Sequence, residues 1–550
     1  MSLRISRVRL LLAFSCAAAI FALTPSLASA AAQTFSITPC NSSCTPDSPS
    51  FVAGASDSAT LSSTLDTSKG TPTSVKIELA PGALANLTAN KACLASTSYT
   101  TACFVGSGSA TLNVPPGSET FNAYLVPPTN VKADVAGLDL VLSGQSSAAA
   151  HAELSVHQLT SGPAAGQVVA DMTFDLSSNP IAPFVTGISA NLNGDLNGKP
   201  FTRMPTSCAL RAPSSLTVVY TGGTETTSAS SDVNVSSTCA LLAYAPKVLG
   251  AATVTNKLPS GAYAVKVTTV VTQAAGQAAN SSSVLTAPSI LSANVQGAEA
   301  DFGKQVGTAA AISPLVPKEL KGVAILTGSI TAPVLSVQFP APYAFSLKGQ
   351  LNAFNNTFTF THLPDIPIAD LVVTLAGGKN SLLETSCASN SGQLKGGFVA
   401  QNGKTAKSAA KLNITGCPAG PPTVSGGSVT GLSTGKPVLK FTLNKGKNAP
   451  NIKSFKVGLP TGLSLNASKL KSGVTVTGGG KFSVSGGKLV VKLNKAESTV
   501  AVKIATPALV ESKTLQKNVK NHKVKQLTFS IAITDAAGHT TTLPLKLKTS

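Results

Sequence analysis

The chain has no Trp, six Tyr and three Met in 550 residues, and charged side chains make up only 12 %. Without Trp the usual stacking platform for sugars is weakened. Carboxylates are so few that no glycosidase pair can be nominated. After residue 30 no apolar run approaches the ~18 residues a membrane-crossing helix needs. No phosphate-binding loop, HExxH segment or paired-carboxylate pattern is present. Gly431-Leu432-Ser433-Thr434-Gly435 matches a nucleophile elbow, but that motif demands a buried strand before it and a helix after it. Here a Gly/Ser-rich linker precedes it and Gly435-Lys436-Pro437 follows, with only His522 and His539 downstream. The match is a chance one, and the expectation is a protein without catalytic activity, cofactor or metal.

The first thirty residues are a processing signal. Arg4, Arg7 and Arg9 precede an apolar run from Leu10 to Leu23, and Ala28-Ser29-Ala30 is a small-x-small cleavage site. A lipid-anchored reading through Cys16 fails, because Ala13-Phe14-Ser15 is a poor lipobox. Leu459-Pro460-Thr461-Gly462 lacks the rest of a wall-sorting motif. The expected location is secreted: extracellular or held at the cell surface, with no transmembrane anchor.

Eight cysteines remain beyond the signal: Cys40, Cys44, Cys93, Cys103, Cys208, Cys239, Cys387 and Cys417. An even number in an exported chain favours disulfides over thiols. Neighbours along the chain form four couples, Cys40 with Cys44 being the weakest. Thr206-Ser207-Cys208 and Thr385-Ser386-Cys387 each run about thirty residues to the next cysteine, which suggests a duplicated module stapled the same way. Zinc would need clustered ligands in both halves, and only Cys40 and Cys44 are close enough.

What is abundant is Val, Thr, Ser, Gly, Ala and Pro. Small and β-branched residues between Gly and Pro turns predict short strands. The expected fold class is all-β: tandem β-sandwich-like domains with disulfides and a Lys-rich C-terminal β-sandwich. Expected boundaries are 31–150 with Cys93 and Cys103, 151–250 with Cys208 and Cys239, 251–420 with Cys387 and Cys417, and 421–550. Val75, Ile77 and Leu79 alternate with Lys76 and Glu78, the period of a half-buried strand. His151 and His157, six apart, share a strand face but lack a third metal ligand. Asn193-Gly194 and Asn197-Gly198 read as hairpin turns. The series Asn191, Asn193, Asp195 lacks the Gly and closing Glu of a calcium loop.

Several of these turns carry a resemblance. Glu78-Leu79-Ala80-Pro81-Gly82, Cys93…Cys103 followed by Val105-Gly106, and Pro205-Thr206-Ser207-Cys208 resemble segments of large exported proteins of high-GC Gram-positive bacteria. Val306-Gly307-Thr308, Leu363-Pro364-Asp365 and Ala376-Gly377-Gly378 are similar to later units of the same proteins. The resemblance covers most of 50–420 and implies surface location and repeated β modules, without an activity. The corresponding later unit usually has a cysteine pair before its Val-Gly-Thr; this chain lacks it.

Residues 421–550 differ in charge, with twenty Lys, no Arg and three carboxylates, a net +17. The remainder nets +3, all of it in the signal arginines, so 31–420 is neutral. Leu439, Phe441 and Leu443 alternate with Lys440, Thr442 and Asn444, predicting a sandwich with a lysine-studded exterior. Lys440, Lys492, Lys503 and Lys546 are candidate contacts for an anionic cell-envelope polymer. The competing role is solubility and edge protection. Specific nucleic-acid recognition is disfavoured: Arg is absent, and Phe441, Phe455, Phe482 and Phe529 are spaced like core residues. The oligomeric state is not encoded in any readable pattern.

Overall fold

The computed structural model describes residues 32–40, 50–114 and 116–549. Eleven strands make the first sheet: β1 (Thr34–Cys40), β2 (Ser58–Thr64), β3 (Pro72–Glu78), β4 (Phe104–Asn113), β5 (Pro116–Val126), β6 (Ala136–Leu142), β7 (Ala150–Gln158), β8 (Val168–Asp175), β9 (Val185–Leu192), β10 (Ser215–Tyr220) and β11 (Gly223–Ser228). Their spatial order is 1-2-9-4-5-6-7-8-3-10-11. The ring then closes, because Ser230 N–H donates to Phe35 O and Ile37 N–H to Ser231 O, both at 2.8 Å.

A second ring follows: β12 (Lys247–Lys257), β13 (Tyr263–Thr272), β14 (Asn280–Thr286), β15 (Gln305–Ile312), β16 (Leu320–Ser329), β17 (Ala332–Phe339), β18 (Phe345–Asn352), β19 (Thr357–Phe360), β20 (Asp370–Leu375), β21 (Ser391–Ala400) and β22 (Thr405–Thr415). Its order is 12-13-20-15-16-17-18-19-14-21-22, which is the first order with eleven added to each number. The other pairings in this ring are antiparallel, so an odd ring has to close on a parallel pair. It does, between β22 and β12, with Ala252 opposite Ile414.

The duplication therefore extends from the cysteine-closed segments to whole barrels. A local detail supports it. Val105-Gly106 and Val306-Gly307 both sit at a bulge. A Cβ on Gly106 would lie 2.0 Å from Asn191 O, and one on Gly307 2.2 Å from Thr374 O. Only Gly allows the neighbouring strand that close.

The all-β class holds throughout the described residues, and the difference from a two-layered sandwich in 34–415 is one of closure. Inside-outside alternation is the same in a sandwich and a barrel; closure removes the exposed edges instead. The boundary expected at 150 is corrected. It falls at the first residue of β7, which is hydrogen-bonded to β6 on one side and β8 on the other. Residues 31–150 and 151–250 thus share one core, in which Ala136, Leu138, Met172, Val218 and Cys239 are all buried. Sheet membership changes between Ser228 and Lys247 and again between Thr415 and Thr423.

Three bridges form, Cys93–Cys103, Cys208–Cys239 and Cys387–Cys417, with Cα separations of 5.7, 5.3 and 5.7 Å. Cys40 is also disulfide-bonded, while Cys44 lies outside the described residues, as does the processing signal. Asn197-Gly198 is a hairpin turn, both residues at positive φ, between Asp195–Leu196 and Lys199–Pro200. Asn193-Gly194 is not: it packs against the chain at Ser56 and donates Gly194 N–H to Ser58 Oγ at 2.8 Å.

The C-terminal unit is a sandwich. A four-stranded sheet contains β23 (Thr423–Thr430), β24 (Val438–Asn444), β29 (Thr499–Ala505) and β26 (Val474–Val476), in that order. A five-stranded sheet contains β27 (Gly480–Ser485), β28 (Lys488–Glu497), β25 (Ile452–Gly458), β30 (Gln526–Asp535) and β31 (Thr540–Lys548). Leu439, Phe441, Leu489, Val491, Phe529 and Ile531 fill the space between them. Helix α1 (Lys513–Lys520) was not foreseen from the strand pattern. Ser512 Oγ accepts from Leu515 N–H at its start, and Leu515 and Val519, one turn apart, bury its apolar side.

Candidate functional site

The four candidate lysines are all exposed, and strand register divides them between two opposite surfaces. Lys440 on β24 lies directly opposite Lys503 on β29, on the outside of the four-stranded sheet. Lys492 on β28 and Lys546 on β31 lie on the outside of the five-stranded sheet. Lys492 is directly opposite Lys481 on β27, and Lys546 is opposite Thr528. The same outer face also carries Lys456, Lys488 and Lys548, each at an alternate position to buried neighbours. Its other positions are mostly Ser and Thr.

None of the unit's three carboxylates is on that face. Glu497 and Asp535 both pair with Ile452, whose side chain is in the core. Glu511 ends the short strand Leu509–Glu511. Like charges directly across a strand pair are mutually destabilising. The face is therefore a dense positive surface with no internal counter-charge. The sequence periodicity identified the outward lysines but could not assign them to sheets, because sheet order depends on pairing across eighty residues.

The neutral barrels hold two polar clusters that sequence reasoning missed. His151 and His157 both lie on β7 and face outward, but they do not converge. His151 Nδ1 is 2.6 Å from Asp139 Oδ1, its direct cross-strand partner, and Tyr99 Oη donates to Asp139 Oδ2 at 2.6 Å. Burial, then the bond to Asp139, raises the Tyr99 hydroxyl to about 12. Glu153 Oε1 is 3.3 Å from His151 Nε2.

His157 Nδ1 is 2.7 Å from Asp171 Oδ2, and Glu78 completes a possible three-ligand metal set. The ammonium of Lys76 occupies the same space, 3.2 Å from Asp171 and 3.3 Å from Glu78. A cation is thus already built in, and the donors form an ion-paired network rather than an open metal site. Burial raises the Asp171 carboxyl, with Lys76 and His157 opposing. The available signal was the outward face of β3, Lys76 and Glu78; the partner Asp171 was invisible without the β3–β8 register.

A third arrangement joins the two barrels. Asp365, in the connection between β19 and β20, is 3 % exposed. Its Oδ2 accepts from Thr206 N–H at 2.7 Å and Ser207 N–H at 2.9 Å, and its Oδ1 from Thr206 Oγ1 at 2.5 Å. Its own N–H donates to Gln167 Oε1 at 3.0 Å. Burial raises this carboxyl above the ordinary range, while the Thr206 and Ser207 donors and the Arg203 charge pull it down. The Thr-Ser before Cys208 is thus a receptor for the other barrel's loop. Its copy is used differently: Thr385 Oγ1 accepts from Cys387 N–H at 3.1 Å.

Ser433 sits on a 3₁₀ turn, Leu432–Thr434, and its carbonyl accepts from Gln516 Nε2 at 3.4 Å. The segment expected to be a Gly/Ser-rich linker is strand β23, but that strand is mostly exposed rather than buried, and the chain continues into β24 instead of the helix a nucleophile elbow needs. His539 pairs with Asp535 at 3.2 Å. Among the described residues no helix is long and apolar enough to cross a membrane.

No protein-family model matches the chain, and no curated protein matches it. Among solved structures it is similar to a protein described as membrane anchored from Corynebacterium diphtheriae, at 9 % identity and a TM-score of 0.18, over 81 % of this chain and 96 % of that one. It is also similar to the collagen binding subdomain of the Enterococcus faecalis surface protein ACE, at 14 % identity and a TM-score of 0.14, over 20 % of this chain and 87 % of that one. A longer structure of ACE gives 11 % identity and a TM-score of 0.16, over 54 % and 91 %. Superposition this loose carries nothing about the activity of the present chain.

Proposed function

We propose that the protein is an exported, non-catalytic component of the cell surface that adheres to an anionic envelope polymer through its C-terminal sandwich. One observation carries the reading. Lys456, Lys481, Lys488, Lys492, Lys546 and Lys548 share the outer face of one sheet, without a carboxylate among them. Solubility alone requires charge somewhere on a surface, not two lysines directly opposed on one face. A flexible polyanion bound across the strands would neutralise that face, with affinity from summed charge rather than from a shaped pocket.

The mature full-length chain should co-sediment with isolated cell walls and with a purified glycerol-phosphate polymer. Replacing Lys456, Lys481, Lys488 and Lys492 together by Gln should reduce binding sharply, leaving the far-ultraviolet circular dichroism unchanged. Binding should weaken steeply with salt, since exposed charges are screened over ~8 Å at physiological ionic strength and ~3 Å at 1 M. Salt-insensitive binding, or full binding by the quadruple variant, would return the lysines to a solubilising role.

A further inference from the structure

Three apolar cavities adjoin one another within the paired barrels. The first, about 120 Å³, lies in the lumen of the first barrel and is walled by Phe35, Leu61, Ala110, Phe121, Ala123 and Ile188. The second, about 150 Å³, fills the same lumen's other end, where Tyr343, Phe345 and Leu315 of the second barrel close it. The third, about 100 Å³, lies in the second lumen among Leu335, Val337, Phe358 and Phe360. Leu138, Met172 and Leu192 wall both the first and the second cavity, so these two adjoin. Ile366 and Ile368 wall both the second and the third.

We propose that this set of cavities binds a long-chain acyl lipid, its chain threaded along the first lumen toward the Ile366–Ile368 partition. Protein interiors are close-packed, and voids larger than a water are few. Eight strands already give a lumen that side chains can just fill or that holds one small ligand; eleven give more room. Here Ala110, Ala123, Ala150 and Ala190 stand among the larger lining side chains and leave part of that room open. An apolar cavity of about 150 Å³ stays dry and accepts an apolar guest. Three small adjoining spaces suit a thin flexible chain better than one broad ring system. From Ala150 at the first cavity to Val156 at the second, β7 advances roughly 20 Å.

The chain would enter at the end of the first barrel away from the second, where Ala149, Asn179 and Ile181 are all partly exposed. These three residues line the cavity, and Asn179 Nδ2 donates to Ala149 O at 2.9 Å. Pro180-x2-Pro183 corresponds to Pro364-x2-Pro367, which aligns Ile181 with Asp365. The segment that docks a carboxylate between the barrels presents an apolar residue at the end away from the second barrel. Among the described residues no charged side chain lines the first cavity, so the head group would stay at the entrance.

The test is a titration of the mature full-length chain with parinaric acid, a fluorescent long-chain fatty acid, and separately with its methyl ester. Saturable fluorescence, displaced by palmitate, is expected from the acid; equal binding of the ester would assign recognition to the chain and not the carboxyl. Palmitate should also raise the wild-type thermal midpoint in a dose-dependent way. Ala123→Leu and Ala190→Leu, which fill the lumen, should weaken binding about tenfold by displacing ligand methylenes. The quadruple lysine variant should bind parinaric acid like wild type, which separates this site from polymer adhesion. Non-saturable fluorescence, or no palmitate-dependent rise in the wild-type midpoint, overturns the proposal. So does unchanged affinity in folded lumen variants.

Discussion

Removing the Asp365 side chain should uncouple the two barrels. Asp365→Ala leaves Thr206 N–H and Ser207 N–H buried without an acceptor. Each orphaned group costs about 1–3 kcal/mol, and the partly buried Arg203 loses its counter-charge. The carboxylate's own desolvation cost disappears in return, so the net loss should be about 3–4 kcal/mol, in the range for breaking a buried pair from one side. Asp365→Asn should cost clearly less. Its carbonyl can take the place of Oδ2 and accept both N–H groups, while its amide faces Thr206 Oγ1, which has a lone pair to offer.

Denaturant unfolding of the mature chain supplies both the free energies and the coupling. The barrels should unfold together in wild type and in two steps in Asp365→Ala. The pH dependence has a defined sign. Burial holds this carboxyl above its unfolded value near 4, so the folded state binds the proton more tightly. Its contribution is then largest in acid and falls as pH rises through the folded value. Asn cannot titrate, so the advantage of wild type over Asp365→Asn should shrink from acid toward neutrality. A loss below about 1 kcal/mol for Asp365→Ala, or equal losses for Ala and Asn, would refute the account of Asp365 as a hydrogen-bonded lock.

Two further outcomes are expected. Lys481→Glu places an opposite charge across from Lys492 and should stabilise the C-terminal sandwich by ~0.2–1 kcal/mol while weakening polymer binding; a lower thermal midpoint would contradict the repulsion argument. Removing Cys208–Cys239 or Cys387–Cys417, which close 31 and 30 residues, should cost ~3–4 kcal/mol each, and Cys93–Cys103, across 10, about 1 kcal/mol less; equal losses in chemical denaturation would refute an origin in the unfolded chain.

The period-two alternation made the strands legible, and the outward lysines with them. Val75 and Ile77 face inward with Lys76 and Glu78 outward, as local sequence alone dictates. Closure was not legible, because it depends on pairings such as Phe35 with Ser230, almost two hundred residues apart. The duplication was legible only at its cysteines, since bridge spacing survives where the strands between have drifted. Helix α1 escaped because eight residues with two apolar contacts, Leu515 and Val519, give too short a period to compete with the surrounding strand pattern.

The roles of Asp365 and the polar clusters lay beyond the sequence for a different reason. A carboxylate in Leu-Pro-Asp-Ile-Pro reads as a solvated turn residue until its donors are known, and those donors belong to the other barrel. Once the two copies are superposed by strand order, the same position becomes informative. The duplicate that meets a neighbour has Asp365, held by Thr206 and Ser207, and the duplicate whose corresponding end meets no other barrel among the described residues has Ile181. Thr385, the counterpart of Thr206, binds within its own turn and receives no loop. Docking chemistry is therefore present only where the two barrels meet. The two copies share one architecture, and their ends have diverged according to what each one faces.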